Sequence, residues 1–210
     1  MMKTRLFSRR RVAVLAIALL GLLTAGVGAA SARGPNESFW GWGPGNGRVQ
    51  VIEFEVAENG TLFRVDPDHA FEDDGLPARG STFIAEGYIY PKGTLSGANG
   101  VNPDGSPEFP DKVIGTWFCY GIHVGDGAHT TTGPWVVTTQ IYDFGDEHGA
   151  ETIVSDGFEL VDVGVPVMRA ITGGTGEFAN ARGEVEQISH GFNASVGVSS
   201  SFTLEIITRP

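Results

Sequence analysis

The chain has 210 residues, 41% of them hydrophobic, and a formal net charge of −11. Five of its 14 Lys and Arg residues but none of its 25 Asp and Glu residues lie in positions 1–32, so the remaining chain has nine basic and 25 acidic side chains, a net charge of −16. A surface this negative repels nucleic-acid phosphates and anionic lipid, which argues against nucleic-acid and peripheral-membrane roles. The single cysteine, Cys119, excludes an internal disulfide, so the fold must depend on its core.

Residues 1–32 have the pattern of a secretory signal peptide. A basic start is followed by an apolar run from Val12 and by the small residues Ala30, Ser31 and Ala32. The sequence SRRRVAV within it is typical of a twin-arginine signal. A membrane anchor is the weaker alternative, because glycines interrupt a short apolar run. We therefore expect an exported protein, secreted or held in the cell envelope, with no membrane span after cleavage.

Residues 33–48 are rich in Gly, Pro and aromatic side chains and predict an irregular N-terminal arm, followed by one domain over residues 49–210. In that domain, short runs of β-branched and aromatic residues between Gly, Pro, Asn and Asp predict strands. The predicted strands are residues 49–56, 81–90, 113–124, 135–144, 151–160, 165–172, 182–190 and 195–208. Eight strands without a helical segment favour an all-β fold, an eight-stranded antiparallel β-barrel, because closure removes exposed sheet edges. The Gly- and Pro-rich residues 92–112 are expected to form a mobile loop at one rim.

Three glycines, Gly173, Gly174 and Gly176, fall within four positions of AITGGTGEFANARGEV. The spacing formally matches a dinucleotide-binding fingerprint, but that fingerprint needs a strand that leads into a helix. Here the residues that follow alternate as another strand does. The glycines therefore predict a sharp, bulged reversal between two strands, with Phe178 tucked back as a plug.

This glycine segment resembles the signature of the allene oxide cyclase barrel superfamily, which includes the plant dirigent proteins, in its Gly-Gly-(Thr/Ser/Ala)-Gly-x-Phe pattern. ARG at positions 181–183 is similar to the dirigent version, and YDFGDEHG at 142–149 is similar to the cyclase version. The resemblance implies a barrel that binds a small apolar molecule and steers its cyclisation or stereoselective coupling, with no cofactor and no metal. A non-catalytic carrier or a cell-envelope binding module for a hydrophobic ligand is the alternative. The sequence is also compatible with a homo-oligomer, either a dimer or a trimer.

The resemblance also implies candidate catalytic residues. In the plant cyclases an acid on the first strand and a cysteine on a middle strand line the cavity, and the matching positions are Glu53 and Cys119. A carboxyl group in an apolar lumen has a raised pKa and can polarise an epoxide or an enone. A register shift of one residue would instead turn Glu53 to solvent and bring Ile52 and Phe54 inward. The alternative role for Cys119 is that of a small buried hydrophobe.

Further side chains are candidates for lining the cavity. Phe158 stands where the cyclases have a tyrosine, and Arg169 is either an anchor for a ligand carboxylate or an exterior charge. The candidate substrate-binding residues are Trp117, Tyr120, His123, Tyr142, Phe158 and Arg169. The histidines show no metal-ligand spacing, so no metal site is predicted. They are His69, His123, His129, His148 and His190.

Overall fold

The computed structural model of the chain describes residues 48–66, 71–73, 77–125, 133–145 and 147–208. The predicted signal peptide lies outside these residues, as do His69, His129 and the predicted arm apart from Arg48. No helix within the described ranges is long and apolar enough to cross a membrane.

The described chain is all-β, with nine strands. They are β1 (Arg48–Glu58), β2 (Arg64–Val65), β3 (Thr82–Pro91), β4 (Gly115–His123), β5 (Pro134–Phe144), β6 (Glu151–Leu160), β7 (Pro166–Gly174), β8 (Arg182–Phe192) and β9 (Val198–Thr208). The eight long strands are those expected from the sequence, with ends that differ by up to three residues. The two-residue strand β2 was not predicted, because it is too short to show an alternating pattern.

The eight long strands close into an antiparallel barrel. The hydrogen-bonded order runs from β1 through β9, β8, β7, β6, β5 and β4 to β3, and β1 also pairs with β3. At this closing seam, a Cβ on Gly87 would lie 2.6 Å from the carbonyl oxygen of Ala57. The seam therefore requires glycine at position 87. The pairing of β1 with β3 closes the sheet, which confirms the predicted eight-stranded barrel.

Alternate side chains of every long strand fill the barrel lumen, as the twofold period of a strand requires. Phe54, Tyr142 and Phe202 form an aromatic cluster there, with ring centroids 5.1 to 5.4 Å apart. Aliphatic side chains complete this half of the core. They are Ile89, Ile153, Ile171, Val185, Leu204 and Ile206.

The glycine corner closes the apolar end of the lumen. Gly176 begins a 3-10 turn, Gly176–Phe178, with a φ of 58°, and a Cβ at this position would collide with the carbonyl oxygen of Ala150. A Cβ on Gly174 would meet Phe178, which is buried and lies 6.0 Å from the Phe144 ring. The turn therefore folds Phe178 back under the barrel. This end of the lumen is plugged.

The composition of the segment between β3 and β4 predicted a loop at one rim. The segment lies instead over the outer face of β1 and β3. The Tyr90 hydroxyl donates to the Gly100 carbonyl at 2.7 Å, and the Leu95 N–H donates to the Glu55 carboxylate at 2.7 Å. Ala57, Tyr90 and Val101 form a second small buried cluster beneath it. Burial of the Tyr90 ring raises the pKa of its hydroxyl to about 12. The segment therefore packs on a small core of its own. Its glycine and proline content gave no sign of this core.

Candidate functional site in the barrel lumen

Five of the eight candidate catalytic and substrate-binding residues lie inside the barrel. Trp117, Cys119 and His123 share the inward face of β4, because their positions differ by even numbers of residues. Tyr142 on β5 and Arg169 on β7 are also buried among lumen side chains. Strand alternation therefore brings these five side chains to one interior surface.

The other three candidates, Glu53, Tyr120 and Phe158, face outward. On β1 the lumen residues are Ile52, Phe54 and Val56, so Glu53 has the opposite direction, pairs with Lys92 and leaves 41% of its side chain exposed. The actual register is thus the one-residue alternative, favoured because it buries Phe54 in place of a carboxylate.

Tyr120 and Phe158 are turned outward by the same alternation. Tyr120 lies between the inward Cys119 and Gly121 and is 51% exposed, and Phe158 is 50% exposed. Tyr120 borders a surface depression of about 530 Å³ whose walls include Ile122 and Val137. Neither side chain is therefore placed to line the lumen.

A buried ion pair lies at the end of the lumen opposite the plug. The Arg169 side chain has no exposed surface, and its Nη1 lies 3.8 Å from Oε1 of Glu159. Arg169 also donates to the Ser155 hydroxyl at 3.2 Å and to the carbonyl oxygens of Thr138 and Phe158 at 3.1 and 3.2 Å. Because an unpaired buried charge is costly, these contacts are what allow a guanidinium to stay inside the barrel.

Glu159 is the centre of a wider hydrogen-bonded network. Its Oε1 accepts from the Thr138 hydroxyl at 2.7 Å and from the Gln140 amide at 2.9 Å, and its Oε2 accepts from the Gln187 amide at 3.2 Å. The Cys119 thiol points at the same carboxyl group, with Sγ 3.5 Å from Oε1. We call these five residues, together with Arg169, Tyr142 and Ser155, the lumen network.

Tyr142 connects this network to the aromatic core. Its hydroxyl donates to the side-chain amide oxygen of Gln140 at 2.6 Å and lies 3.0 Å from the Ser155 hydroxyl. Burial is the main cause that raises the pKa of Tyr142 far above its ordinary value, although the Arg169 charge acts in the opposite direction. Tyr142 is therefore a neutral hydrogen-bonding group near physiological pH.

Cys119 is protonated in this environment. Burial raises the pKa of its thiol well above the ordinary value, the Glu159 charge raises it further, and the Arg169 charge opposes the shift. Thiolate is the nucleophilic form of cysteine. The position therefore suits a wall of the lumen better than a nucleophile.

Glu58, the last residue of β1, is the carboxyl group that β1 contributes to the lumen face. It lies on the same face as Phe54 and Val56, and its Oε2 accepts a hydrogen bond from the Val198 N–H at 3.1 Å. Burial raises the pKa of Glu58 to about 7, the bond from Val198 lowers it, and the Glu159 charge raises it further. A carboxyl group with this pKa can give and take a proton near neutral pH.

His123 lies on the inward face at the same end and is neutral, because burial lowers its pKa. The Ser81 hydroxyl donates to the Ala78 carbonyl at 2.7 Å, so its oxygen is an acceptor for Nδ1 of His123 at 3.0 Å. We assign the proton to Nδ1 on this basis, which leaves Nε2 as an acceptor. The His123 ring also contacts Phe83 and Trp135, at 5.1 and 5.8 Å between centroids.

No group of three His, Cys, Asp or Glu side chains within the described ranges is arranged to hold a metal ion. The side chains of the site provide a proton-exchanging carboxyl group, a fixed ion pair and several amide and hydroxyl dipoles beside an aromatic surface.

No protein-family model matches the sequence, and no curated protein matches it. Solved structures do match. One pterocarpan synthase dirigent protein is 11% identical with a TM-score of 0.53, and the alignment covers 83% of this chain and all of the other. A second pterocarpan synthase dirigent protein is 14% identical, also with a TM-score of 0.53, over 78% of this chain and 97% of the other. The chain has the dirigent-protein barrel fold. The resemblance to the allene oxide cyclase barrel superfamily is thereby confirmed for the fold.

The sequence reasoning missed several polar residues inside this dirigent-type barrel. Glu58, Glu159, Gln140 and Gln187 all lie in predicted strands or one to two residues beyond them. Each one shares the parity of a buried apolar neighbour, as Gln140 does with Tyr142 and Gln187 with Val185. A polar residue on the apolar face of a strand is the signal that would have found them.

Proposed function

We propose that this chain is an exported dirigent-type barrel that binds a small apolar molecule at the polar end of its lumen and steers its cyclisation or stereoselective coupling. The observation that carries the proposal is the lumen network together with Glu58. Buried charges cost stability, and a closed barrel has no structural need of them. The two dirigent proteins compared above are pterocarpan synthases, which supports a role in ring formation.

The steering is mostly conformational. A barrel interior that is closed at one end and lined by aromatic side chains would hold a reactive molecule in one folded conformer, and so replace many unproductive geometries by one. Glu58 is the group that exchanges protons, because its pKa lies near neutrality. It protonates a substrate oxygen as the ring closes and recovers the proton afterwards, so that the isomerisation has no net proton change. Cys119 and Trp117 form the walls, and Arg169 with Glu159 fixes the polar end.

The test uses a pair of matched substitutions on β4. Cys119→Trp fills the lumen, whereas Tyr120→Trp adds the same ring to the outer face, one residue away. Native mass spectrometry of the purified protein is expected to show a co-purifying small molecule that Cys119→Trp loses and Tyr120→Trp retains. Loss in Tyr120→Trp alone would place the site outside the barrel and refute the proposal.

A carrier without catalysis is the second candidate. Arg169 and Glu159 already have hydrogen-bond partners in the lumen network and at the Phe158 carbonyl oxygen, a feature that favours binding without chemistry. Chiral chromatography of the bound molecule after incubation with the protein separates the two. An enzyme changes the ring or stereochemical composition, a change that Glu58→Gln removes, and a carrier leaves the composition unaltered.

Export is part of the proposal and is tested separately. Cleavage before Arg33 is expected, with the protein outside the cytoplasm. Substitution of Arg9 and Arg10 by Lys is expected to block export through a twin-arginine route. Normal export of that variant would assign the segment to the general secretory route.

A further inference from the structure

Trp117 has a buried hydrogen-bond donor without a partner. Its side chain is packed in the lumen core and is 5% exposed. Its indole Nε1 is buried, and no acceptor for it exists among the described residues. Buried indole N–H groups usually have a partner, because leaving one unpaired costs free energy. The N–H is therefore available to a ligand oxygen.

Glu58 lies in the same row of the barrel as Trp117. Trp117 on β4 is directly opposite Gly87 on β3, and Gly87 is directly opposite Glu58 on β1. Gly87 contributes no side chain to this row, and the β1 backbone of Ala57 and Glu58 packs directly against it. Neighbouring strands are about 4.8 Å apart, so the Cα atoms of Trp117 and Glu58 are separated by roughly 10 Å.

The Glu58 carboxyl group also has free hydrogen-bonding capacity. Among the described residues its only hydrogen-bond donor is the Val198 N–H, which goes to Oε2. In its protonated form the carboxyl group is a second donor that faces the lumen. Two donors, one on β4 and one on β1, therefore lie in the same row of the barrel interior.

The charges of the lumen disfavour an anion. All three nitrogens of Arg169 donate to protein oxygens, and its charge is balanced by Glu159. Arg169 is thus not free to bind a ligand carboxylate, which was one of its two roles predicted from the sequence. An anion would also face the carboxyl groups of both Glu58 and Glu159.

We propose that the lumen selects an uncharged molecule with an acceptor oxygen, such as a carbonyl or ether oxygen, which accepts hydrogen bonds from the Trp117 indole and the Glu58 carboxyl group. This inference rests on the proposed function, since it presupposes a ligand in the lumen, and it adds the chemical class of that ligand. A cation is disfavoured in turn, because an ammonium group offers no acceptor to either donor.

The test compares probes of nearly equal shape by ¹⁹F NMR titration at pH 6. The probes are 4-fluoroacetophenone, 4-fluoroethylbenzene, 4-fluorobenzoate and 4-fluorobenzylamine. The ketone is expected to bind about fivefold to tenfold more tightly than the hydrocarbon, the value of one neutral hydrogen bond, and more tightly than either ion. Trp117→Phe, which removes only the N–H and part of the ring, is expected to bring ketone and hydrocarbon to similar affinity.

Trp135→Phe is the matched control, because the Trp135 indole is also unpaired and lies beside His123, outside the row that Trp117 shares with Glu58. It is expected to keep the preference for the ketone. If Trp117→Phe does not fold, as judged by its thermal melt, Glu58→Leu replaces it, and loss of the preference is again expected. Glu58→Gln keeps a donor and is expected to keep the preference.

The outcomes separate this inference from the function on which it rests. If no probe binds, a small-molecule site in the lumen is refuted and the inference is lost with it. Equal binding of ketone and hydrocarbon, strongest binding of an ion, or loss of the preference in Trp135→Phe alone would overturn the inference and leave ligand binding in place.

Discussion

Removal of the ionisable group at Glu58 is expected to change how the stability of the barrel depends on pH. The pKa of Glu58 is about 7 in the folded chain, against an ordinary value of 4.5. The folded state therefore holds its proton more tightly than the unfolded state does, so stability is greatest below the unfolded pKa and falls as pH rises from about 4.5 to 7. At 1.36 kcal/mol per pKa unit, the loss is roughly 3 kcal/mol.

Glu58→Gln preserves the shape and the acceptor for Val198 but cannot ionise, so this loss should vanish. The variant is expected to gain about 3 kcal/mol over the wild type at pH 8 and almost nothing at pH 4. For a domain of this size that corresponds to a difference in melting temperature of about 6 to 12 °C at the higher pH. Circular dichroism melts at unit steps from pH 4 to pH 8 measure it.

Two controls make the result specific. His123 has a lowered pKa and so increases stability as pH rises, which partly masks Glu58 in the wild-type curve. The difference between the two proteins removes that contribution. Glu177→Gln, at an exposed position of the glycine corner, is expected to show no such difference. A constant difference between Glu58→Gln and the wild type from pH 4 to pH 8 would refute the burial assigned to Glu58.

Arg169→Met is expected to destabilise the barrel by about 3 to 5 kcal/mol in urea titrations, because it leaves Glu159 buried without its counter-charge, and Arg169→Met with Glu159→Gln should recover much of that loss. Equal stability of the single and double variants would contradict the pairing. Cys119 is expected to resist a bulky thiol reagent until denaturant is added, and rapid labelling of the native protein would place it outside the lumen. Gly176→Ala should cost about 1 to 3 kcal/mol in thermal unfolding, whereas Gly173→Ala, where φ is not positive and a Cβ meets only the tip of Arg182, should cost little. Similar melts for both glycine variants would argue against the corner geometry.

The barrel was predictable because its strands are short runs of β-branched and aromatic residues, separated by turn residues. Eight such strands need closure to remove their edges, and the glycine signature specified where the chain reverses. The loop over the outer face was not predictable, because Gly and Pro report where strands end but not where the intervening chain packs. Tyr90 and Val101, which bury each other beneath this loop, are eleven positions apart, and no sequence pattern indicates their contact.

The site was predictable only where the inward and outward alternation of a strand was assigned from its apolar residues. On β4 the period of two correctly grouped Trp117, Cys119 and His123. The prediction of Tyr120 as a substrate-binding residue was wrong because the same period places it on the outer face. On β1 the resemblance favoured Glu53, although Phe54 and Val56 were the better guides to the inward face. The lumen partners of Arg169 come from other strands, so no spacing in the sequence reveals that the charge is internally balanced.

The plug formed by Phe178 has a kinetic consequence. Because it closes one end of the barrel, the proposed substrate and its product would both have to pass the opposite end, where β4 ends at His123. Substrate and product then exclude each other, and release must precede the next entry. For an enzyme built this way, product inhibition is strictly competitive, and turnover is bounded by how fast the opening empties.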